Sequence, residues 1–289
     1  MRGWRLRSGQ GSSLGQSGGG NLTHGTSALS GLLRKVKTNL SDMRFFGPVV
    51  VRRHLKKHAA DPRMTVAVPQ IGSVHIRAGE SDIATLRQVF LGGEYDLSHP
   101  EHLKNRVLAR YSEIIAQGST PIIADIGANI GSASLWFKQQ FPEAAVVAVE
   151  PDPDNAVVLR RNLSGRPLVS VVEAAIGATA GFVALENRSS GWAVQTKRAD
   201  AGIPIVTVDD VLAQVPAGTP FIVKIDIEGF ESDLFKANLD WIARAYVVMI
   251  EPHDWMLPGQ MTSRAFQQAM AAHPFEMFIR GENILYVRV

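Results

Sequence analysis

The sequence predicts an α/β protein whose sheet is mostly parallel and covered by helices on both faces. Three observations carry this prediction. Short apolar runs alternate with helical segments through the second half of the chain, as buried parallel strands and their crossover helices do. The first run ends in a glycine turn, Gly127 to Gly131, that leads into a helix. The last two runs are separated by only a short turn, so they must pair antiparallel at one edge.

The composition describes an ordinary folded protein with a basic extension. The chain has 289 residues, of which 45% are hydrophobic and 20% charged, and it contains no cysteine. Disulfides, thiolate metal sites and a cysteine nucleophile are therefore excluded. Residues 1–60 hold eleven Lys or Arg and one acid, a charge of +10, which leaves −7 of the net +3 for the remainder. Because the basic charge lies in an extension, we expect no nucleic-acid partner.

Composition and pattern divide the chain into three segments. Residues 1–40 are basic and rich in Gly and Ser, and we expect them to be disordered. Residues 41–118 are predicted to form an N-terminal cap of helices and one β-hairpin. Residues 119–289 hold the alternating strands and helices of the main domain. No apolar run is long enough to span a membrane and no signal-peptide core is present, so we expect a cytoplasmic protein.

Each element follows from the local sequence. In the cap, residues 64–68 and 73–77 read as paired strands, and Ser81 caps a helix that Gly92 stops. The main-sheet strands are predicted at 122–125, 144–149, 169–172, 221–225, 246–250, 275–279 and 284–289. Short strands are predicted at 182–185 and 193–195, around a loop at 186–191, and at 206–208. Helices are predicted at 82–91, 101–117, 132–138, 153–162, 231–237 and 263–272, with another beginning at residue 209 or 210.

The glycine turn after the first strand predicts a cofactor site. Gly127 and Gly131 allow close approach of a ligand, and the following helix offers free N–H groups. The spacing G-x-x-x-G differs from the G-x-G-x-x-G of dinucleotide enzymes, and Asp125 precedes the first glycine by two. A carboxylate there disfavours a pyrophosphate and favours a ligand with positive charge, such as S-adenosylmethionine. Close packing is the alternative explanation of the glycines.

Acidic residues stand at or next to the ends of five strands. They are Asp125, Glu150, Glu173, Asp226 and Glu251. Ligands of such sheets bind outside the carboxyl ends of the strands, and buried carboxylates are costly without a partner, so these acids indicate a site. Glu150 follows the glycine turn by about 20 residues, where an acid accepts the ribose hydroxyls. Glu173, with Ala174 and Ala175, is predicted to lie beside the adenine.

A second group of candidates lies at the ends of the fourth and fifth strands. Lys224 and Asp226 project to one face by alternation, and a buried lysine needs a carboxylate partner, for which Asp226 or Glu251 is available. Asp226, Glu251 and His253 offer ligands to a hard divalent cation such as Mg²⁺. Alternatively, His253 or Asp226 is the general base for an acceptor hydroxyl. A charge network that only braces two strand ends is the third alternative.

Six short stretches of the main domain form a family pattern. They are Asp-Ile-Gly-Ala-Asn-Ile-Gly (125–131), Val-Glu-Pro-Asp-Pro (149–153), Ala-Ile-Gly (175–177), Ile-Val-Thr-Val-Asp-Asp-Val-Leu (205–212), Val-Lys-Ile-Asp-Ile-Glu-Gly-Phe-Glu (223–231) and Ile-Glu-Pro-His (250–253). Together they resemble the FkbM family of S-adenosylmethionine-dependent methyltransferases. The resemblance extends over about residues 70–289 and includes the segment 76–82 upstream. Its most specific part is Lys-Ile-Asp-x-Glu-Gly-x-Glu; the glycine motif is shared by many methyltransferases.

The resemblance implies a Rossmann-like class I methyltransferase fold with a seven-stranded sheet and an antiparallel C-terminal edge hairpin. It also implies O-methylation of a hydroxyl on a sugar, glycan or polyketide-type natural product. The candidate cofactor-binding residues are Asp125, Gly127, Ala128, Asn129, Gly131, Glu150, Pro151, Glu173, Ala174, Ala175 and Asp226. The candidate catalytic residues are Asp226, His253, Glu251, Lys224 and Glu228. The expected cofactor is S-adenosylmethionine, with Mg²⁺ as an optional second, and a homodimer and a monomer both remain open.

Two other classes of protein share this pattern of strands and helices. An NAD(P)-binding oxidoreductase uses the same sheet, although the dinucleotide glycine spacing is missing here. A non-catalytic Rossmann-like binding module would keep the fold and use the basic extension to hold a membrane or nucleic acid. Titration with NADH and with S-adenosylmethionine distinguishes the oxidoreductase from a methyltransferase. Removal of residues 1–60 should abolish the activity of the binding module and spare that of a methyltransferase.

Overall fold

The computed structural model describes residues 38–56, 59, 63–187 and 194–289. The chain forms two compact units, residues 1–42 and residues 43–289. Of the first unit, residues 38–42 are described and are helical. The predicted disorder of residues 1–40 falls, up to residue 37, outside the described part of the chain. Among the described helices, none is long and apolar enough to cross a membrane.

The second unit contains strands and helices in alternation. The described strands are β1 (Arg63–Val68), β2 (Gly72–Arg77), β3 (Pro121–Ile126), β4 (Ala145–Val149), β5 (Val169–Val172), β6 (Ala175–Ile176), β7 (Gly181–Asn187), β8 (Val194–Ala199), β9 (Ile203–Val206), β10 (Thr219–Ile225), β11 (Val247–Ile250), β12 (Phe275–Arg280) and β13 (Asn283–Arg288). The described helices are α1 (Asp82–Phe90), α2 (Glu101–Ala116), α3 (Ser132–Gln140), α4 (Pro153–Leu163), α5 (Val208–Leu212), α6 (Glu231–Leu234), α7 (Asp240–Arg244) and α8 (Arg264–Ala271). Short helical turns cover Pro48–Arg52 and Arg53–Lys56.

Seven strands form the central sheet, in the order β12-β13-β11-β10-β3-β4-β5. Strands β11, β10, β3, β4 and β5 run parallel, and β13 lies antiparallel between β11 and β12. This topology confirms the predicted Rossmann-like class I methyltransferase fold, including the edge hairpin. After β3 the chain adds β4 and β5 to the sheet on one side of β3, and it later places β10 on the other side of β3. The crevice at the carboxyl ends of β3 and β10 is therefore the switch point where such sheets bind ligands.

Strand β3 shows how the sheet is stabilised, because every residue in it is buried. Ile122, Ala124 and Ile126 face one hydrophobic cluster, which helix α8 closes with Phe266. Ile123 faces a second cluster, which helix α2 closes. Burying one such aliphatic side chain stabilises the fold by roughly 1.5–3 kcal/mol, so apolar packing on both faces fixes the strand in the middle of the sheet. The near-continuous apolar pattern of the sequence has this origin.

The β1–β2 hairpin of the cap is attached to the glycine turn through one side chain. Its buried valines and isoleucine pack against helices α3 and α4. Asn162 on α4 accepts a hydrogen bond from the His75 backbone at 2.7 Å. The Asn162 amide donates to the carbonyls of His75 at 3.1 Å and Ile130 at 2.8 Å. Hairpin, helix and glycine turn are therefore joined at a single buried amide.

A second sheet, β6-β9-β7-β8, was not predicted as such. Strand β8 carries the polar run Thr196-Lys197-Arg198, so apolar alternation does not mark it, and pairing with β7 forms it instead. The predicted strand at 206–208 is wrong at its end, because Thr207 makes a capping box with Asp210 and begins helix α5. Residues 186–187 of the predicted loop belong to β7, and 188–191 lie outside the described residues. Helix α7 was missed, and α6 is shorter than predicted.

Candidate active site

A cavity of about 430 Å³ opens at the carboxyl ends of β3, β4 and β10. Seven of the predicted cofactor-binding residues line it, namely Gly127, Asn129, Glu150, Pro151, Ala174, Ala175 and Asp226. Glu228 also lines it, from the loop that follows β10. The cavity therefore runs from the predicted ribose acid to the Lys-Ile-Asp-x-Glu-Gly motif, and its walls come from several separate strand ends.

The first glycine of the turn is required by a close approach of two chain segments. Gly127 has a φ of +77°, and a Cβ built on it would lie 1.7 Å from the carbonyl oxygen of Asp226. The second glycine has another role. Gly131 has a φ of +91°, and its Cβ would meet Leu159 of α4 at 2.8 Å. Gly131 and Ala128, also predicted to bind the cofactor, do not line the cavity and pack against buried side chains.

Glu150 is held in place by three N–H groups around the cavity. One carboxylate oxygen accepts from the backbone of Asn129 at 2.7 Å. The other accepts from the backbone of Asp152 at 3.0 Å and from the Asn155 amide at 3.2 Å. Burial raises the pKa of Glu150 to about 7, although these hydrogen bonds oppose the rise. Glu150 is thus a fixed acceptor that titrates close to neutral pH.

Residues of the cap complete the cavity, and the sequence predictions did not include them. Arg77 donates two hydrogen bonds to Asp82, at 3.1 and 2.8 Å, and one to the Asn155 side-chain oxygen at 2.6 Å. Arg77 and Ser81 line the cavity beside Glu150. The segment 76–82 was part of the family resemblance, which was the available signal for this contribution. The contact of Arg77 with Asn155 on α4 could not be predicted from sequence spacing.

Lys224 lies at the centre of the site and is almost fully buried. Its Nζ lies 3.3 Å from Asp125 Oδ1 and 3.5 Å from Asp226 Oδ2, and it donates to the Gly127 carbonyl at 2.7 Å. Burial acts to lower the pKa of Lys224, but Tyr95, Asp125 and Asp226 outweigh burial and raise it well above its usual value. The ammonium therefore joins the glycine turn to the end of β10.

Asp125, which the sequence predicts at the charged end of the cofactor, does not line the cavity. It is completely buried, and Ser134 donates to its second oxygen at 2.5 Å. Both oxygens thus face groups of the protein. Glu173, which the sequence predicts beside the adenine, does not line the cavity either. Glu173 is exposed and pairs with Arg160 at 2.7 Å on the surface, away from the cavity lining.

His253 lies buried among carboxylates beside Asp226. Its Nδ1 hydrogen-bonds Glu231 at 2.6 Å, and its Nε2 lies 3.5 Å from Glu251 and 3.6 Å from Asp226. Burial lowers the pKa of His253, but hydrogen bonds to Glu231 and Glu251 raise it to about 11. The imidazole is therefore protonated at neutral pH. A protonated imidazole cannot accept a proton, so the prediction of His253 as the general base disagrees with its surroundings.

Two other carboxyl groups near Asp226 titrate close to neutral pH. Burial, followed by the charge of Asp226, raises the pKa of Glu228 to about 7. Burial, followed by the charges of Glu251 and Asp226, raises the pKa of Glu94 to about 7. Glu228 has a φ of +53°, an unusual conformation for a residue with a side chain, and it borders the cavity. Perturbed acids in a cavity are typical of functional sites.

The predicted metal ligands Asp226, Glu251 and His253 are brought together. One ligand atom from each lies within 4.8 Å of the other two. A second group in the described part of the chain, Glu94, Glu251 and Glu282, meets the same criterion with oxygen donors alone. Glu94 and Glu282 were not among the predicted site residues, because they lie in a loop and a turn outside the family motifs.

Comparison with known proteins identifies the family to which this chain belongs. A family model described as the methyltransferase FkbM domain matches residues 125–273, more than half of the 289 residues. The matched segment includes the glycine turn, Glu150 and the motif around Lys224. The chain belongs to the FkbM methyltransferase family.

Two methyltransferases are similar to parts of this chain. The methyltransferase sdnD of Sordaria araneosa is 46% identical over 56 residues, 19% of this chain and 22% of that protein. The hexuronic acid methyltransferase AglP of Haloferax volcanii is 23% identical over 145 residues, 49% of this chain and 59% of that protein. The chain thus spans less than two thirds of either relative. An O-methyltransferase structure from Bacillus cereus in complex with SAH is 16% identical, with a TM-score of 0.35, over 72% of this chain and 94% of that one.

The buried lysine of this FkbM site gives a prediction for stability. Replacing Lys224 by Met leaves Asp125 buried without its counter-charge, and breaking a buried pair in this way costs about 3–5 kcal/mol. We expect that loss in the free energy of unfolding, measured by urea denaturation at neutral pH.

Lys236 provides the matched control. Its Nζ lies 3.5 Å from Asp233, and its side chain is 67% exposed. Replacing Lys236 by Met should change the free energy of unfolding by less than about 1 kcal/mol, as expected for a surface pair. Equal effects of the two substitutions would contradict the role given to Lys224.

Proposed function

We propose that this FkbM protein is an S-adenosylmethionine-dependent O-methyltransferase whose acceptor is a hydroxyl of a sugar, glycan or polyketide-type natural product. One observation carries the proposal. The same cavity is lined by Glu150 at its cofactor end and by Asp226 and Glu228 at its other end. The family membership supports methyl transfer, and this arrangement supports a cationic donor, since a sulfonium and an ammonium are compatible with nearby carboxylates.

The chain offers groups suited to each part of the donor. Glu150 faces the cavity and can accept hydrogen bonds from the ribose hydroxyls. Ala174 and Ile176 provide an apolar edge suited to an adenine ring. Asp226 places a carboxylate at the opposite end, which suits the methionine ammonium and the sulfonium. S-adenosylmethionine would supply an activated methyl group, and the protein positions it against the acceptor.

The reaction needs a proton acceptor, because an aliphatic hydroxyl barely ionises at neutral pH. The acceptor oxygen forms a bond to the methyl carbon, the carbon–sulfur bond breaks, and its electron pair stays on sulfur. The hydroxyl proton passes to a base. Among the candidates, His253 is protonated, and both oxygens of Asp226 are engaged in ion pairs within the protein, with Lys224 at 3.5 Å and His253 at 3.6 Å. We therefore assign the base to Glu228, whose pKa of about 7 matches neutral pH.

The class of acceptor is supported by a relative and by the site itself. The relative AglP is named as a hexuronic acid methyltransferase, which favours a sugar acceptor here. Trp255 follows His253 and is 71% exposed, and the centres of the two rings lie 6.5 Å apart. An exposed indole at the edge of a polar site is a suitable surface for the apolar face of a sugar ring. The carboxylates around it can accept hydrogen bonds from further hydroxyls.

The two alternative functions, an NAD(P)-binding oxidoreductase and a non-catalytic binding module, would require other groups at this cavity. A dinucleotide places a pyrophosphate at the glycine turn, where this cavity presents Asp226 and Glu228 instead of the N–H groups of a G-x-G-x-x-G turn. A non-catalytic module has no use for buried acids with a pKa near 7. Both rivals are therefore less compatible with the site than methyl transfer.

Cofactor affinity is predicted to depend on pH through Glu150. Its pKa of about 7 leaves roughly a tenth of the carboxyl ionised at pH 6 and roughly nine tenths at pH 8. Because the ionised form is the better acceptor for ribose hydroxyls, the Kd for S-adenosylmethionine should fall about tenfold over this range. Calorimetric titration measures it. The Glu150→Gln variant should bind more weakly at all pH values and lose the dependence; an unchanged slope in that variant would refute the assignment.

The base is tested by the pH profile of kcat at saturating donor and acceptor. Candidate neutral glycosides and uronosides are first screened for methyl transfer, and the best acceptor is used. With Glu228 as base, kcat should rise with pH through about 7. Glu228→Gln should lower kcat by about 100-fold or more and flatten the rise, with little change in the Kd for S-adenosylmethionine. If the rise persists in Glu228→Gln but disappears in Asp226→Asn, the base is Asp226.

A further inference from the structure

Three carboxylates converge beside the cavity, and only one of them, Glu251, belongs to a family motif. Glu94 comes from the loop after α1, Glu251 follows β11, and Glu282 lies in the turn between β12 and β13. One oxygen from each lies within 4.8 Å of the others. Gly281 of the same turn lies close to Glu94, since a Cβ built on it would lie 3.4 Å from Glu94 Oε1.

A buried amide without partners lies next to these carboxylates. Asn283 is 0% exposed, and neither its Nδ2 nor its Oδ1 has a hydrogen-bond partner. Strands β11 and β13 pair Ile250 with Ile284, and continuing the register by one step places Asn283 opposite Glu251. Directly opposed residues of an antiparallel pair project to the same side of the sheet. The Asn283 amide therefore projects to the side on which Glu251 lies.

An orphaned buried amide indicates a missing ligand, because buried polar groups in folded proteins are almost always paired. A cation held by the three carboxylates would be available to the Asn283 Oδ1, and a carboxylate oxygen would be available to its Nδ2. Such an all-oxygen set with a high negative charge is what Mg²⁺, Mn²⁺ and Ca²⁺ prefer. The alternative group with His253 is less suited to these ions, since its imidazole offers nitrogen and already hydrogen-bonds Glu231.

We propose that Glu94, Glu251, Glu282 and Asn283 bind one hard divalent cation. The part that this cation would play in catalysis rests on the proposed function. Its binding does not, because binding depends only on the oxygen atoms of these four residues. A cation at this position adjoins His253 and the Asp226 end of the cofactor cavity through Glu251. When bound, such a cation would make an acceptor hydroxyl that coordinates it more acidic.

The test is binding of Mn²⁺ to the full chain, followed by electron paramagnetic resonance and by calorimetry with Mg²⁺ and Ca²⁺. We expect one Mn²⁺ per chain. Glu282→Gln, which removes an exposed carboxylate and should leave the fold intact, is expected to weaken Mn²⁺ binding at least tenfold. Glu94→Gln and Asn283→Ala should weaken it similarly. Circular dichroism and the unfolding midpoint show whether each variant is folded.

Glu276→Gln is the matched control, because Glu276 is an exposed carboxylate of the same hairpin that pairs with Arg106. It should bind Mn²⁺ like the unaltered chain. Absence of Mn²⁺, Mg²⁺ and Ca²⁺ binding, or equal binding by Glu282→Gln and Glu276→Gln, would overturn the proposal. The same samples are titrated with S-adenosylmethionine in EDTA. Donor binding without cation binding rejects the cation site alone, whereas cation binding without donor binding rejects the proposed function alone.

Discussion

The structure depends on one buried ammonium that holds two strand ends together. Lys224 lies between Asp125 and Asp226 and donates to the carbonyl of Gly127. The glycine turn and the end of β10 approach so closely at this point that only glycine fits beside the Asp226 carbonyl. A charge buried this deeply is tolerated only with well-placed partners, so the position of the turn, the lysine and the acid must be set together. The cofactor cavity is the space that this arrangement leaves open.

Around this ammonium the site is strongly acidic, and the acids differ in their protonation. Glu231 and Glu251 keep His253 protonated, whereas burial leaves Glu228, Glu94 and Glu150 titrating near pH 7. The same site thus contains a permanently charged imidazole and carboxyl groups that titrate near neutral pH. In the proposed reaction Asp226 has an electrostatic role and Glu228 accepts the proton, and the proposed cation site lies among the carboxylates next to them.

The fold was largely predictable from the sequence, since strands such as Pro121–Ile126 are buried on both faces and their apolar runs have no other explanation. The positions of Glu150 and Asp226 at the cavity were also predictable, because the carboxyl ends of parallel strands meet at one edge of the sheet. The role of Asp125 was not, because sequence spacing does not say whether a carboxylate faces a ligand or the buried Lys224. Arg77, Glu94 and Asn283 were missed for another reason. Each reaches the site through a tertiary contact from a loop, turn or hairpin with no motif of its own.

The most direct test of this account is a calorimetric titration of the purified chain with S-adenosylmethionine and, separately, with NADH. A cavity that presents acids to a cationic donor should bind one S-adenosylmethionine per chain and give no binding heat with NADH. The account would be contradicted by saturable binding of NADH together with no binding of S-adenosylmethionine.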